Sequence, residues 1–276
     1  MTIVVIGPVC RDLIIVGDRK KFKTGGASYF QSFVFEKFYP DYLSIINCDN
    51  AELINDFPYS NKVKVLKKNN THYFINEYPN PENLDIRLQY SNFARIAITV
   101  TDLKNILSDV DNIEAFILNP LNAFDFPVET INYLKSFNIP IFASVQGFLR
   151  YPSDKIDEKN YSIDLKLTEN IKDKISNIDA LFLDEAEASI LFENYDLNIK
   201  ELVITNGSRG SRIMSDKEYK FDAVECENIV DSTGCGDTFM AAYISKKLND
   251  GSIVDSANFA SKIASEKLKY FGPFRL

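Results

Sequence analysis

Apolar residues fall in short blocks along the chain, and their spacing separates two kinds of strand. Thr2-Ile3-Val4-Val5-Ile6 is an unbroken β-branched run that stops at Gly7-Pro8, the pattern of a strand covered on both faces. Leu13-Ile14-Ile15-Val16 ends at Gly17 and predicts a second strand. After Gly25-Gly26, residues 28–35 have the length and apolar face of a helix that closes before Pro40. Further strands are predicted at 42–46, 115–118, 139–144, 180–183 and 202–205. Helices are predicted at about 235–249 and 253–270, the latter opened by the capping-box-like Ser252-Ile253-Val254-Asp255. Residues 62–90 mix or alternate polar with apolar, as in Lys62-Val63-Lys64-Val65, Thr71-His72-Tyr73-Phe74-Ile75 and Ile86-Arg87-Leu88-Gln89-Tyr90. That is the signature of half-exposed antiparallel strands. The charged stretch 153–176 reads as solvated connections and helix faces.

Strands alternating with helices predict an α/β fold with a mostly parallel central sheet flanked by helices. The alternating segments predict a small β-sheet lid formed from about 12–24 and 62–90. No repeat or Gly/Ser linker divides the chain, so residues 1–276 are expected to be one domain.

Composition narrows the function. Thirty-one basic against 39 acidic side chains give a formal net charge of -8, which argues against duplex nucleic acid and anionic membranes as partners. The single histidine, His72, removes HExxH sites and multi-histidine metal clusters. It is expected in a surface strand, a poor place for a nucleophile's base. Four scattered cysteines without a CxxC pair fit a reducing compartment. No run approaches the roughly 18 apolar residues of a membrane span, and a cytoplasmic protein is expected.

The densest chemical signal is Asp231-Ser232-Thr233-Gly234-Cys235-Gly236-Asp237 ahead of a helix. Two glycines let the backbone turn tightly and approach a ligand, and the helix start supplies free N–H groups and the positive dipole end. Asp237 then stands where a carboxylate accepts a proton from an attacking hydroxyl. Locally, a glycine-rich loop whose acid merely offsets the helix dipole explains these residues equally well.

The segment resembles the signature of the ribokinase-like, or PfkB-type, carbohydrate kinases, roughly Asp-Thr-x-Gly-Ala-Gly-Asp, with Cys235 in place of Ala. The resemblance implies Asp237 as catalytic base, with the backbone of Gly234, Cys235 and Gly236 as an anion hole. Other segments follow in the family's order. Asp12, at the end of Val5-Ile6-Gly7-Pro8-Val9-Cys10-Arg11-Asp12, and the pair Gly25-Gly26 are implied to bind the acceptor. Phe30 stands where many members have a hydroxyl-binding Asn. Asp184-Glu185-Ala186-Glu187 resembles the family's Asn-x-x-Glu, which implies Glu187 and Asp184 as magnesium organisers working through water; by itself the pattern is an N-cap with its partner. Thr205, Gly207 and Gly210 in Thr205-Asn206-Gly207-Ser208-Arg209-Gly210 resemble the nucleotide-binding turn, though a hairpin explains them as well.

Gln146 and Arg150 follow a strand end, where open α/β sheets place ligand groups, and resemble a Gln-x-x-x-Arg segment of the inositol-kinase-like branch. Arg150 is equally a residue that pins a loop. Asp231 is a further candidate, either as ligand to a monovalent cation such as K⁺ or as a brace for its loop.

The expectation is an ATP- and Mg²⁺-dependent kinase of a cyclitol, nucleoside or sugar, with a homodimer through the lid as a candidate assembly. A cyclitol or nucleoside is expected to outperform ribose and fructose, its ring stacking near Tyr29-Phe30. The alternative is a catalytically idle ligand-binding or regulatory protein on the same fold. A nicotinamide enzyme is disfavoured because Gly7-Pro8-Val9-Cys10 is not GxGxxG, and no GxxxxGK[ST] is present.

Overall fold

A computed structural model of the chain describes residues 1–80, 88–168, 170–195 and 199–275. In chain order the strands and helices are β1 (Thr2–Ile6), β2 (Cys10–Val16), β3 (Arg19–Gly25), α1 (Ala27–Phe38), β4 (Tyr42–Cys48), β5 (Val63–Lys67), β6 (His72–Tyr78), β7 (Leu88–Ser91), α2 (Val100–Leu107), β8 (Ile113–Leu118) and α3 (Val128–Lys135). They continue with β9 (Ile141–Ser144), α4 (Gln146–Leu149), β10 (Arg150–Lys155), β11 (Tyr161–Leu165), α5 (Ile171–Ile175), β12 (Ala180–Asp184), α6 (Glu185–Phe192), β13 (Glu201–Thr205), β14 (Ser211–Met214), β15 (Glu218–Phe221), α7 (Cys235–Leu248) and α8 (Ile253–Leu268).

Nine strands form one sheet in the order β15-β14-β13-β12-β9-β8-β1-β4-β5, parallel from β13 to β5 and antiparallel at the β14-β15 edge. Its central strands read as continuous apolar runs because both faces are covered, and Ile3, Val4, Val5 and Ile6 are all fully buried. One face packs Val4, Ile6 and Phe116 against Leu103 of α2, Leu134 of α3 and Leu191 of α6. The other packs Ile3, Val5 and Ile117 against Phe35 of α1, Tyr243 of α7 and Ala260 of α8. The predicted capping box of α8 is present, with the Ser252 side chain accepting the Asp255 N–H.

Six strands form a second sheet, β10-β11-β7-β6-β2-β3, antiparallel except where β2 runs alongside β6. It differs from the expected lid in two places. Val63–Lys67 pairs in parallel with β4 and belongs to the large sheet, because Val63 packs into an apolar cluster with Ile46 and Phe57. Part of the stretch 153–176, expected as solvated connections, lies in β10 and β11, which pair with each other, and β11 pairs onto β7. β10, Arg150-Tyr151-Pro152-Ser153-Asp154-Lys155, is too polar to announce itself, whereas Tyr161-Ser162-Ile163-Asp164-Leu165 of β11 does alternate and sets Ile163 against Cys10, Phe74 and Leu121, a short signal lost among the charged residues around it. Ile86 and Arg87 of the predicted last lid strand lie outside the described residues. His72 is corrected as well: it lies in a strand, as expected, but is fully buried, its Nε2 2.9 Å from Asp125 Oδ1.

Candidate active site

The two sheets meet around the ends of β1, β9 and β12, and the predicted residues divide into three groups there. The first comes from the amino-terminal strands. Asp12 is buried on β2, where the Cys10 thiol donates to its Oδ1 at 3.2 Å. Gly25 of β3 pairs with Cys10, and a Cβ there would come within 2.3 Å of Asp12 Oδ2, so glycine lets β3 close over this carboxylate. Gly26, φ +100, caps α1, its carbonyl accepting the N–H groups of Tyr29 and Phe30. Beneath this helix start Asn119 exchanges hydrogen bonds with Gln31, at 3.0 and 2.6 Å, and donates to Ser28 Oγ at 3.2 Å. That buried network fixes the helix start against β8.

The second group comes from the lid. Gly147 packs so tightly on Pro120 that a Cβ would sit 2.2 Å from its carbonyl, which brings α4 and the start of β10 close to the large sheet. Gln146 heads this short helix, half-buried, and Arg150 follows it, buried with its guanidinium 5.6 Å from the centre of the Phe74 ring. Arg150 lies near enough to pull down the carboxyl pKa values of both Glu187 and Asp237.

The third group hangs on the carboxy-terminal half. Asp184 caps α6 and exchanges hydrogen bonds with Glu187 at 2.8 and 2.9 Å, the capping box predicted as the local reading. Glu187 is nevertheless buried. Desolvation first, and the neighbouring Asp184 second, push its pKa up to about 7, with Asp237 adding to the rise. Thr205 ends β13, and the turn that follows needs glycine at Gly210, φ +88, where a Cβ would collide with the Phe221 carbonyl at 2.0 Å. Gly234, φ +76, opens α7, and a Cβ there would strike the Phe30 ring at 2.3 Å. Gly236 faces open space. A cavity of about 870 Å³ lies between these segments, bounded by Thr205, Gly207, Gly210, Ile229, Gly236 and Phe239.

Asp237 stands in the first turn of α7, where the three groups converge. Loss of hydration pushes its pKa up to about 6; Arg150 and Lys267 pull it down and Asp12 pushes it further up. The structure thus brings Asp12, Arg150 and Glu187 each within electrostatic reach of Asp237. Thr205, Gly207, Gly210, Cys235 and Gly236 line the adjoining cavity. Burial likewise raises the Cys235 thiol to about 11, and its Sγ points to the Ala264 carbonyl at 3.6 Å, away from the loop's amides.

Two expectations are revised. Phe30 is 2 % exposed and packed under Gly234 with Tyr29 edge-on at 5.4 Å, so it supports the loop and offers no stacking face to an acceptor ring. Asp231 does not fit a monovalent metal ion. Its Oδ1 accepts the Thr233 N–H and its Oδ2 the Gly272 N–H, and the ammonium groups of Lys267 and Lys23 lie 3.8 and 3.9 Å from Oδ2. Lys267 was not singled out from the sequence. The available signal was its place on the buried stripe Ala257, Ala260, Ile263, Ala264, Lys267 of α8, where a lysine is out of character.

Residues 157–274 match the pfkB family of carbohydrate kinases. The matched segment holds β12, α6, β13, the glycine turn and the Gly234–Asp237 loop. Over 98 residues the chain is 29% identical to the 2-dehydro-3-deoxygluconokinase of Escherichia coli K12, a stretch covering 34% of this chain and 32% of that enzyme. Solved structures extend the likeness to the whole fold, which is ribokinase-like. A pyrophosphate-dependent kinase of the ribokinase family, complexed with a pyrophosphate analog and myo-inositol, superposes with TM-score 0.82 at 22% identity over 99% of this chain and 97% of its own. Arabidopsis thaliana ribokinase, complexed with ribose and ATP, gives TM-score 0.71 at 16% identity over 99% and 94%. Among the described residues no helix is long and apolar enough to cross a membrane.

Proposed function

We propose that this chain is a kinase that transfers the γ-phosphoryl group of ATP to a hydroxyl of a small polyhydroxylated acceptor. The observation that carries the reading is Asp237: a carboxylate in the first turn of α7, set between an open glycine amide loop and the acceptor-side pair Asp12 and Arg150, and tuned to about 6 so that it is ionised at neutral pH yet basic enough to take a proton.

In this reading the acceptor lies between Asp12, the Gly25-Gly26 loop and Arg150. Asp237 accepts the hydroxyl proton as the oxygen attacks phosphorus, and the amides of Gly234 and Gly236 with the α7 dipole stabilise the negative charge on the transferring group, while the Cys235 N–H holds the turn through the Ser232 carbonyl at 3.1 Å. Glu187, buried beside Asp184 with a carboxyl driven toward neutrality, suits a divalent cation nearby, and Mg²⁺ there would neutralise phosphate charge. The lid sheet, carrying Arg150, excludes water that would otherwise hydrolyse the donor.

A nucleotide is favoured over pyrophosphate as donor because the cavity beside Gly236 is large enough for a nucleoside and is bordered by Ile229 and Phe239, apolar surface that a bare diphosphate does not use. An idle binder on the same fold has no need of a tuned acid at the anion hole. The test is phosphoryl consumption from ATP and from pyrophosphate with myo-inositol, nucleosides, ribose, fructose and a keto-deoxy sugar acid as acceptors. Turnover with ATP and at least one acceptor is expected. No acceptor-stimulated turnover with either donor refutes the kinase reading, and turnover with pyrophosphate alone refutes the donor assignment.

A further inference from the structure

Behind the anion-hole loop lies a charged centre that the reaction as described does not use. Lys267, in the last turn of α8, is fully buried. Its Nζ donates to the Asp231 carbonyl oxygen at 2.6 Å and lies 3.8 Å from Asp231 Oδ2. The same carboxylate receives the N–H of Gly272 at 3.0 Å and of Thr233 at 2.9 Å, and Lys23 reaches it from β3 at 3.9 Å. The backbone of the segment is tied down too, since the N–H groups of Val230 and Asp231 both bond the Leu268 carbonyl. Lys23 in turn lies over the Phe271 ring at 5.3 Å and near the Phe30 ring, which underlies Gly234.

Burying an ammonium is costly unless a carbonyl and a carboxylate receive it, so its presence here needs a compensating role. Its position at the carboxy-terminal end of α8 adds the favourable end of that helix dipole. A carbonyl oxygen and a carboxylate converging on one cation are also the donor set of a site for an alkali metal ion. Here an ammonium on the chain's own side chain occupies it, three residues before the first glycine of the hole.

We propose that Lys267 is a positioning residue that supplies a built-in cation to the 231–237 loop, so that this chain needs no monovalent metal ion to hold its anion hole in shape. The inference rests on the kinase reading only for its rate measurement. Its other measurement is thermal unfolding without any substrate.

Wild-type protein is compared in KCl, NaCl and tetramethylammonium chloride at one ionic strength. The expected result is a Tm that agrees among the salts to within about 1 °C, because no ion binds the native state selectively, and rates that agree to within about twofold. Lys267→Ala, which vacates the site, is expected to lower kcat at least about tenfold in tetramethylammonium while leaving the KM for donor and acceptor within about threefold, and to acquire a Tm and a rate that rise with K⁺.

A wild-type Tm raised saturably by KCl over tetramethylammonium overturns the proposal. So does a Lys267→Ala protein as stable and active as wild type in tetramethylammonium, since its ammonium would then brace nothing. If that variant does not fold, the wild-type salt comparison still decides. Absence of turnover in every salt counts against the kinase reading and leaves the unfolding comparison intact.

Discussion

The cavity bounded by Thr205, Gly210 and Gly236 hangs on β13 and α7, elements of the large sheet and its covering helices, whereas Asp12 and Arg150 are carried by β2 and β10 of the smaller sheet. On the cavity side positions are set by backbone: glycines at φ +88 and +76, a capping box, and a helix start. On the lid side they are set by side-chain packing, with Gly25 pressed on Asp12 and Arg150 over Phe74. Backbone devices suit a phosphate, the same group whatever the substrate, and side-chain packing can be redrawn for each acceptor. In the proposed reading, the comparison assigns donor and acceptor to separable parts, with Asp237 shared between them.

The sharpest way to break that division is at the shared residue. Asp237→Asn keeps the volume and removes the base, and kcat is expected to fall by at least about a hundredfold with donor binding retained. A rate within a few fold of wild type removes Asp237 from the chemistry.

Arg150→Met comes next. If the lid recognises only the acceptor, the acceptor KM should rise by about tenfold or more, the cost of a lost charge-assisted hydrogen bond, while the ATP KM stays put. Equal rises in both would merge the two sides.

The acid limb of kcat/KM should fall near pH 6: below it Asp237 is protonated and cannot accept the hydroxyl proton. A limb near pH 4 would mean that this half-buried carboxyl is not the group that titrates in catalysis.

Glu187→Gln preserves the acceptor for the Asp184 N–H but removes the charge, and the Mg²⁺ concentration at half-maximal rate should rise several-fold. The same variant carries a stability test. Because the folded pKa of about 7 lies above the ordinary 4.5, the native state holds a proton that the unfolded chain releases, so stability is lost as pH rises through that window. Glu187→Gln should therefore raise Tm at about pH 8 and leave it unchanged at pH 4.5. The smallest effect is expected for Cys235→Ala, within about twofold in rate, since the thiol is directed at the Ala264 carbonyl of α8 and the amide of residue 235 is held by the Ser232 carbonyl whichever side chain follows.

Much of the large sheet was legible because its strands are buried on both faces and announce themselves as runs such as Ile3 to Ile6 and Ala180 to Leu183. The glycine loop was legible because it compresses its chemistry into seven consecutive residues, 231–237. The lid was only half legible: β10 is polar and pairs through its backbone, which leaves no mark on composition, and the alternation of β11 from Tyr161 to Leu165 is only five residues long inside a charged stretch. Phe30 shows the same limit from the other direction. Its identity was plain, but whether the ring faces an acceptor or the underside of Gly234 depends on a residue two hundred positions away.

By itself the sequence determined the alternation of strands and helices, the parallel sheet and the glycine-rich 231–237 loop, because each rests on local periodicity or on contiguous residues. Only the tertiary structure decided that Val63–Lys67 belongs to the large sheet, that residues 150–165 complete the small one, that His72 is buried on Asp125, and that the ammonium of Lys267 sits on the Asp231 carbonyl. All four are set by contacts between segments far apart in the chain, and the energy of burying a charge or pairing an edge is fixed only once the partner segment has arrived.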